Sequence, residues 1–252
     1  MSKAFECLIA EATADPDILA IFLYGSRASG LATIHSDHDF GLIVVDEAVS
    51  AWTARLKSFD QAEFDGRVFT LGGFEAWADW SGPERWVRYA LVDAKLLVDK
   101  TGNLRDLIES KSIVPAVEAR RFIDGRLDHL INQTYRCAKC HRDGNKLAAR
   151  LEAAEAIPPL LDAVFALDGG RVRPYAKYLA LELETRPPAS LPVSTKLFLE
   201  SLDQLLLGSS LEVLQKLVAG LEPTCRAAGH GTVFDAWGDA LPWMLHFRPS
   251  KE

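Results

Sequence analysis

The chain has 252 residues, 48% of them hydrophobic, with 28 basic against 35 acidic side chains and a formal net charge of −7. This composition excludes a disordered chain and a scaffold built on disulfides. The acidic balance excludes a protein whose main task is to grip a polyanion, since that needs clustered Lys and Arg; no nucleic-acid partner is expected. Residues 1–105 hold 10 basic and 16 acidic side chains, so nearly all of the negative excess lies in the first part of the chain.

The N-terminal stretch carries Glu6, Glu11 and Asp15 and no long apolar run, so no secretory signal is expected. No apolar run approaches the ~20 residues of a membrane span. The expectation is a cytoplasmic protein whose cysteines, Cys7, Cys137, Cys140 and Cys225, stay as thiols. In chain order, helical spacing over Ser2–Ala14 is followed by an apolar run at Ile18–Tyr24 that reads as a strand. Further strands are expected at Phe40–Val45, Val68–Leu71 and Lys95–Val98, with a helix over Glu47–Phe59. After Gly102 the apolar residues take helical spacing throughout. Helices are expected at Ala116–Cys140, Lys146–Leu167, Tyr175–Glu184, Thr195–Leu207 and Leu211–Ala228, broken at Gly144-Asn145, Gly169-Gly170, Pro187-Pro188 and Gly208-Ser209-Ser210. The first part, 1–105, therefore reads as an α/β or α+β unit of strands with flanking helices, and 106–252 as an all-α helical bundle.

Chemistry concentrates between residues 21 and 45. A strand delivers Gly25-Ser26 at a turn where a short helix is expected to start, with Ser26 as its N-cap. Backbone N–H groups there, with no Cβ at Gly25 to block approach, suit a phosphate. Asp37 and Asp39 lie two apart at the start of the next strand and so point to the same side of it. Two such carboxylates repel one another unless a divalent cation sits between them, and Mg²⁺ matches hard oxygen ligands beside a phosphate.

Gly25-Ser-Arg-Ala-Ser-Gly30 followed by Ser36-Asp-His-Asp-Phe-Gly-Leu-Ile-Val-Val45 resembles the signature of the nucleotidyltransferase superfamily related to DNA polymerase beta, in particular the small enzymes that adenylylate aminoglycosides and lincosamides. Weaker likeness to such proteins extends through Ala94–Gly102, Ala163–Leu167 and Arg173–Leu179. The resemblance implies an α+β catalytic domain at 1–105, a mixed β-sheet with flanking helices, and an acceptor-binding helical domain at 106–252. It also implies transfer of a nucleoside monophosphate, AMP from ATP, to a hydroxyl of a small-molecule acceptor such as an antibiotic. Asp37 and Asp39 would hold Mg²⁺, and Gly25, Ser26, Arg27, Ser36 and Lys177 would meet the nucleotide. Two rival readings are a catalytically impaired nucleotide sensor and an enzyme of antitoxin type that modifies a protein partner.

Active members of that superfamily add a third carboxylate on a neighbouring strand. The neighbouring strand is expected at Gly66–Gly73, which contains Thr70 but no acid. Glu75, just past it, is the leading candidate; Asp79 and Asp65 are the others. For a catalytic base the helical part offers Asp128, Glu152 and Glu155. Other features read as ordinary structure. Cys137-Ala-Lys-Cys140-His141 fits a haem-attachment pattern but lies within a helical pattern and lacks an export signal. Arg136 and His141 match a two-residue ribonuclease pattern. His35 and His38 flank the acidic pair, where they would tune its charge or meet phosphate. Trp77, Trp80 and Trp86 follow the third strand as core packing or as a stacking surface.

Overall fold

A computed structural model describes residues 3–59, 63–208 and 211–249, so the expectations at Ser2, Ser209 and Ser210 lie outside the described residues. The chain divides into two units, Met1–Ile113 and Val114–Glu252.

In the first unit four strands form one mixed sheet in the order β3-β2-β1-β4. Strand β1 (Ile18–Tyr24) pairs antiparallel with β2 (His38–Val44) and with β4 (Lys95–Asp99), while β3 (Phe64–Phe69) runs parallel to β2. Because β1 and β2 are central and covered on both faces, they read as unbroken apolar runs without alternation. One face packs under helix α1 (Lys3–Ala14) and helix α3 (Val49–Lys57), through Phe5, Leu8, Trp52 and Leu56 against Phe40, Leu42 and Phe64. The other face carries Phe22, Tyr24 and Ile43 under Phe74, Trp77, Val87 and Leu91. Between β1 and β2 lies the short helix α2 (Gly25–Ser29), and α4 (Leu71–Ala76) follows β3. Helix α5 (Leu104–Lys111) buries Leu104 and Ile108 in the same core, which is why the first unit runs past the end of β4 to Ile113.

Two glycines inside the sheet make room for aromatic rings. A Cβ at Gly41 would lie 2.1 Å from the Phe22 ring across the strand pair, and one at Gly66 would lie 2.5 Å from Phe40 and 2.8 Å from Leu56. Gly66 thus marks a close approach within β3, not a break before it. Taking Gly66 as the strand's start displaces β3 by two residues, and the observed strand begins at Phe64 with Asp65 inside it.

The second unit is all helical. Its spine is α6 (Ala116–Arg142), 27 residues long, against which α7 (Lys146–Glu155), α8 (Ile157–Leu167) and α11 (Leu211–Ala227) pack. The expected single helix over Lys146–Leu167 is two, because Pro158 and Pro159 lack the N–H groups an uninterrupted helix needs and instead open α8. Helix α9 (Leu179–Thr185) follows a short 3₁₀ turn, Ala176–Tyr178, and α10 (Thr195–Gly208) comes next. The short α12 (Gly231–Asp235) and α13 (Ala240–His246) were not legible as periodic segments. Among the described residues no helix is long and apolar enough to cross a membrane. The α+β class expected from the sequence is the observed one.

Candidate active site

The site is built at the ends of the two central strands. Strand β1 ends at Tyr24, and the chain turns through Gly25 at φ +68°, a left-handed conformation that a side chain disfavours. A Cβ there would also lie 2.2 Å from Oδ2 of Asp39. Gly25 is therefore where the turn and the acidic strand touch, and no other residue type fits without moving the carboxylate. Ser26 is not the N-cap: that position belongs to Tyr24, with no side-chain cap, and Ser26 is buried within the first turn of α2. Its carbonyl accepts from the N–H of Leu31 at 2.8 Å.

Arg27 turns back toward the loop before β2. Its Nε donates to the carbonyl of Asp37 at 2.8 Å, and its Nη2 donates to the carbonyl of Ser36. The Ser36 hydroxyl accepts from the N–H of Thr33 at 2.9 Å. In this structure both side chains shape the loop that presents the acids, so the guanidinium expected at the nucleotide is engaged in holding the backbone of residues 36 and 37.

Three acids converge. Asp39 on β2 is paired across the sheet with Tyr24 of β1 on one side and with Asp65 of β3 on the other. Asp37, just before β2, projects to the same side as Asp39. Asp37, Asp39 and Asp65 each offer a carboxylate oxygen, all within 4.8 Å of one another. Three like charges this close repel strongly unless protons or a cation offset them. An all-oxygen donor set with no sulfur or imidazole suits a hard divalent cation, and the missing Cβ at Gly25 keeps Asp39 in place; the residues present fit Mg²⁺.

Glu75 lies outside this trio. It is exposed on α4, and its backbone carbonyl accepts from Lys111 Nζ at 2.8 Å. Asp79 is drawn into its own turn: its carboxylate accepts from the N–H of Ser81 at 2.9 Å, and the Ser81 hydrogen bonds hold it below the usual carboxylate range. The third acid on the neighbouring strand is Asp65. Asp65 was among the candidates expected from the sequence but was placed before the strand; in Phe64-Asp-Gly-Arg-Val-Phe69 it alternates with Phe64 and lies inside β3.

Beside the acids the same sheet face carries Tyr24, Arg67 and Trp77. The Tyr24 phenol is buried, and burial raises its pKa; Asp65 and Asp39 push it the same way, while the Arg67 charge and hydrogen bond oppose them. It stays neutral across the physiological range. Arg67 pairs with Glu84 at 3.3 Å and lies over the Trp77 ring at 5.5 Å. Trp77 is buried against Tyr24 and Phe69, whereas Trp86 is 63% exposed and Trp80 takes the guanidinium of Arg85 at 5.0 Å. The three tryptophans therefore do not form one stacking surface. Two buried cations brace the Trp77 segment from behind: Lys111 Nζ donates to the carbonyl of Trp77 at 2.6 Å, and Arg88 donates to that of Ala78 at 2.8 Å.

The two histidines go to different environments. His35 is exposed, while His38 points to the opposite face of β2 from the acids and is buried, stacked on Phe5 at 4.3 Å and near Phe64 at 5.6 Å. Burial lowers its pKa, and it does not face the acidic trio.

In the helical unit, Asp128 accepts from Trp237 Nε1 at 3.0 Å, Glu152 is paired with Arg136 at 2.6 Å, and Glu155 is exposed. Lys177 is exposed, with Nζ 4.7 Å from the Tyr178 ring centre. Cys137 is buried on α6 and its thiol is pushed up to about 12, chiefly by burial, which makes it an inert core thiol. Among the described residues, Cys137 and Cys140 belong to no group of three or more metal-ligating side chains.

No family model matches the chain, and no curated protein matches it. Among solved structures it is similar to a nucleotidyltransferase-like protein from Exiguobacterium sibiricum 255-15, at 14% identity and a TM-score of 0.48, over 93% of this chain and 78% of that one.

Proposed function

We propose that the chain is a metal-dependent nucleotidyltransferase that moves a nucleoside monophosphate, AMP from ATP, onto a hydroxyl of a small acceptor such as an antibiotic. The observation that carries this reading is the convergence of Asp37, Asp39 and Asp65 within 4.8 Å beside the Gly25 turn. The three carboxylates would hold Mg²⁺, which when bound offsets negative charge on the phosphates and favours ionisation of the attacking hydroxyl. The chain's own contribution is placement. Gly25 leaves room for Asp39 to keep its position, and Arg27 fixes the carbonyls of residues 36 and 37 so that Asp37 enters the trio at a set angle. The acceptor oxygen would attack the α-phosphorus and the bond to the β-phosphate oxygen would break. Pyrophosphate would carry away the electron pair and a carboxylate would take the hydroxyl proton.

The acidic excess of residues 1–105 would draw a cationic acceptor toward the site by the field it creates. Asp65 beside Asp37 and Asp39 supports turnover over a sensor that only binds nucleotide. The test is release of pyrophosphate from ATP and Mg²⁺ across a panel of hydroxyl-bearing small molecules, cationic ones included, beside Asp37→Ala and Asp39→Ala. Turnover that needs both aspartates is expected. Turnover unchanged in either variant would overturn the assignment, and label appearing on protein instead of on the small molecules would move it to a protein-modifying class.

A further inference from the structure

The acids account for one side of the proposed site; the cation on the same strand is unassigned. On β3, Asp65 and Arg67 alternate onto one face, so their Cα atoms lie about 6–7 Å apart, within the span of a triphosphate. Arg67 pairs with Glu84 at 3.3 Å, with both side chains partly in solvent at 38% and 47% exposure. A pair of this kind is worth little and exchanges easily for a better anion. Meanwhile the guanidinium sits over the Trp77 ring at 5.5 Å, on the face of the sheet that also carries the buried Tyr24. Trp77 is itself anchored through its carbonyl to buried Lys111. A guanidinium resting against a buried ring has its N–H donors free to turn outward, and such a fork suits two oxygens of one phosphate.

Charge balance points the same way. Asp37, Asp39, Asp65 and Glu84 supply four negative groups, and Arg67 is the basic residue of the strand that carries the third acid. The Glu84 pair, shared with water, holds Arg67 weakly, whereas a phosphate in its place would make a stronger charge-assisted contact.

We propose that Arg67 is a nucleotide-binding residue: it holds the phosphate chain of the triphosphate beside the acidic trio, and Glu84 is its resting partner, displaced when nucleotide binds. This rests on the nucleotidyl-transfer reading of the site. The test is calorimetry on the full chain with ATP, inorganic pyrophosphate and adenosine as probes, in Mg²⁺, with Mn²⁺ binding to the nucleotide-free protein followed separately. For Arg67→Met, ATP and pyrophosphate affinity should fall roughly 10- to 100-fold while adenosine affinity and Mn²⁺ binding are kept, and Arg67→Lys should restore part of the loss. Glu84→Gln should tighten pyrophosphate binding, because it removes the competitor. A structural role would instead lower Mn²⁺, adenosine and ATP binding together and would not let Glu84→Gln gain affinity. The proposal is overturned if Arg67→Met binds ATP like the parent, or if Glu84→Gln weakens pyrophosphate binding. If the parent protein itself fails to bind ATP while retaining Mn²⁺, the nucleotidyl-transfer reading fails as a whole.

Discussion

Gly25→Ala isolates the contact on which the site turns. Two penalties combine in it. Alanine at φ +68° pays for the left-handed conformation, about 1–2 kcal/mol. In addition its Cβ would stand 2.2 Å from Asp39 Oδ2, when real Cβ contacts under 3.0 Å are essentially never seen, so the carboxylate must retreat by most of an ångström. Metal ligands displaced on that scale lose affinity, and disturbing a group that supports a ligand typically costs roughly 10- to 100-fold. Gly30→Ala is the matched control: Gly30 has φ +78°, yet a Cβ there meets nothing within 4 Å. Both variants should melt a few degrees lower. Only Gly25→Ala should also lose Mn²⁺ affinity, measured by electron paramagnetic resonance on nucleotide-free protein. Equal Mn²⁺ binding by the two alanine variants would refute the reasoning that Gly25 exists to position Asp39.

Three further outcomes follow from particular side chains. Asp65→Asn should abolish most Mn²⁺ binding while Glu75→Gln leaves it intact; the reverse order would return the third acid to α4. His38 is buried neutral and its pKa is lowered in the fold, so its contribution is fully present above the unfolded value of about 6.5 and is lost as pH falls below that, where the unfolded chain takes up the proton and the folded one resists it. His38→Phe, seated between Phe5 and Phe64, should narrow the difference in melting temperature between pH 8 and pH 5, and an unchanged difference would show that His38 is not a source of acid sensitivity. Iodoacetamide at pH 8 should modify exposed Cys7 and spare Cys137 and Cys225, whose thiols burial pushes up to about 12. Mass spectrometry showing Cys137 modified as fast as Cys7 would contradict its burial on α6.

By itself the sequence determined the parts whose signal is local. Strand β1, the Gly25 turn and the Asp37/Asp39 pair were legible because a long apolar run, a glycine at a turn and period-two alternation each act over a few residues. The helical character of the second part was legible because apolar spacing repeats over many turns. The break at Pro158-Pro159 was also present in the residues, although the periodicity on either side hid it.

Only the tertiary structure decided which strand lies beside β2 and in what register. That register sets Asp65 against Asp39, and it depends on Gly66 admitting Phe40 and Leu56, a contact between residues far apart in the chain. The same holds for Arg27, whose guanidinium found loop carbonyls, and for His38, which the pleat turned away from its acidic neighbours into an aromatic core. The physical reason is one and the same. A residue's type and spacing specify what it can do, but its partners are set by packing across the sheet, where one residue of register moves a side chain from one face to the other.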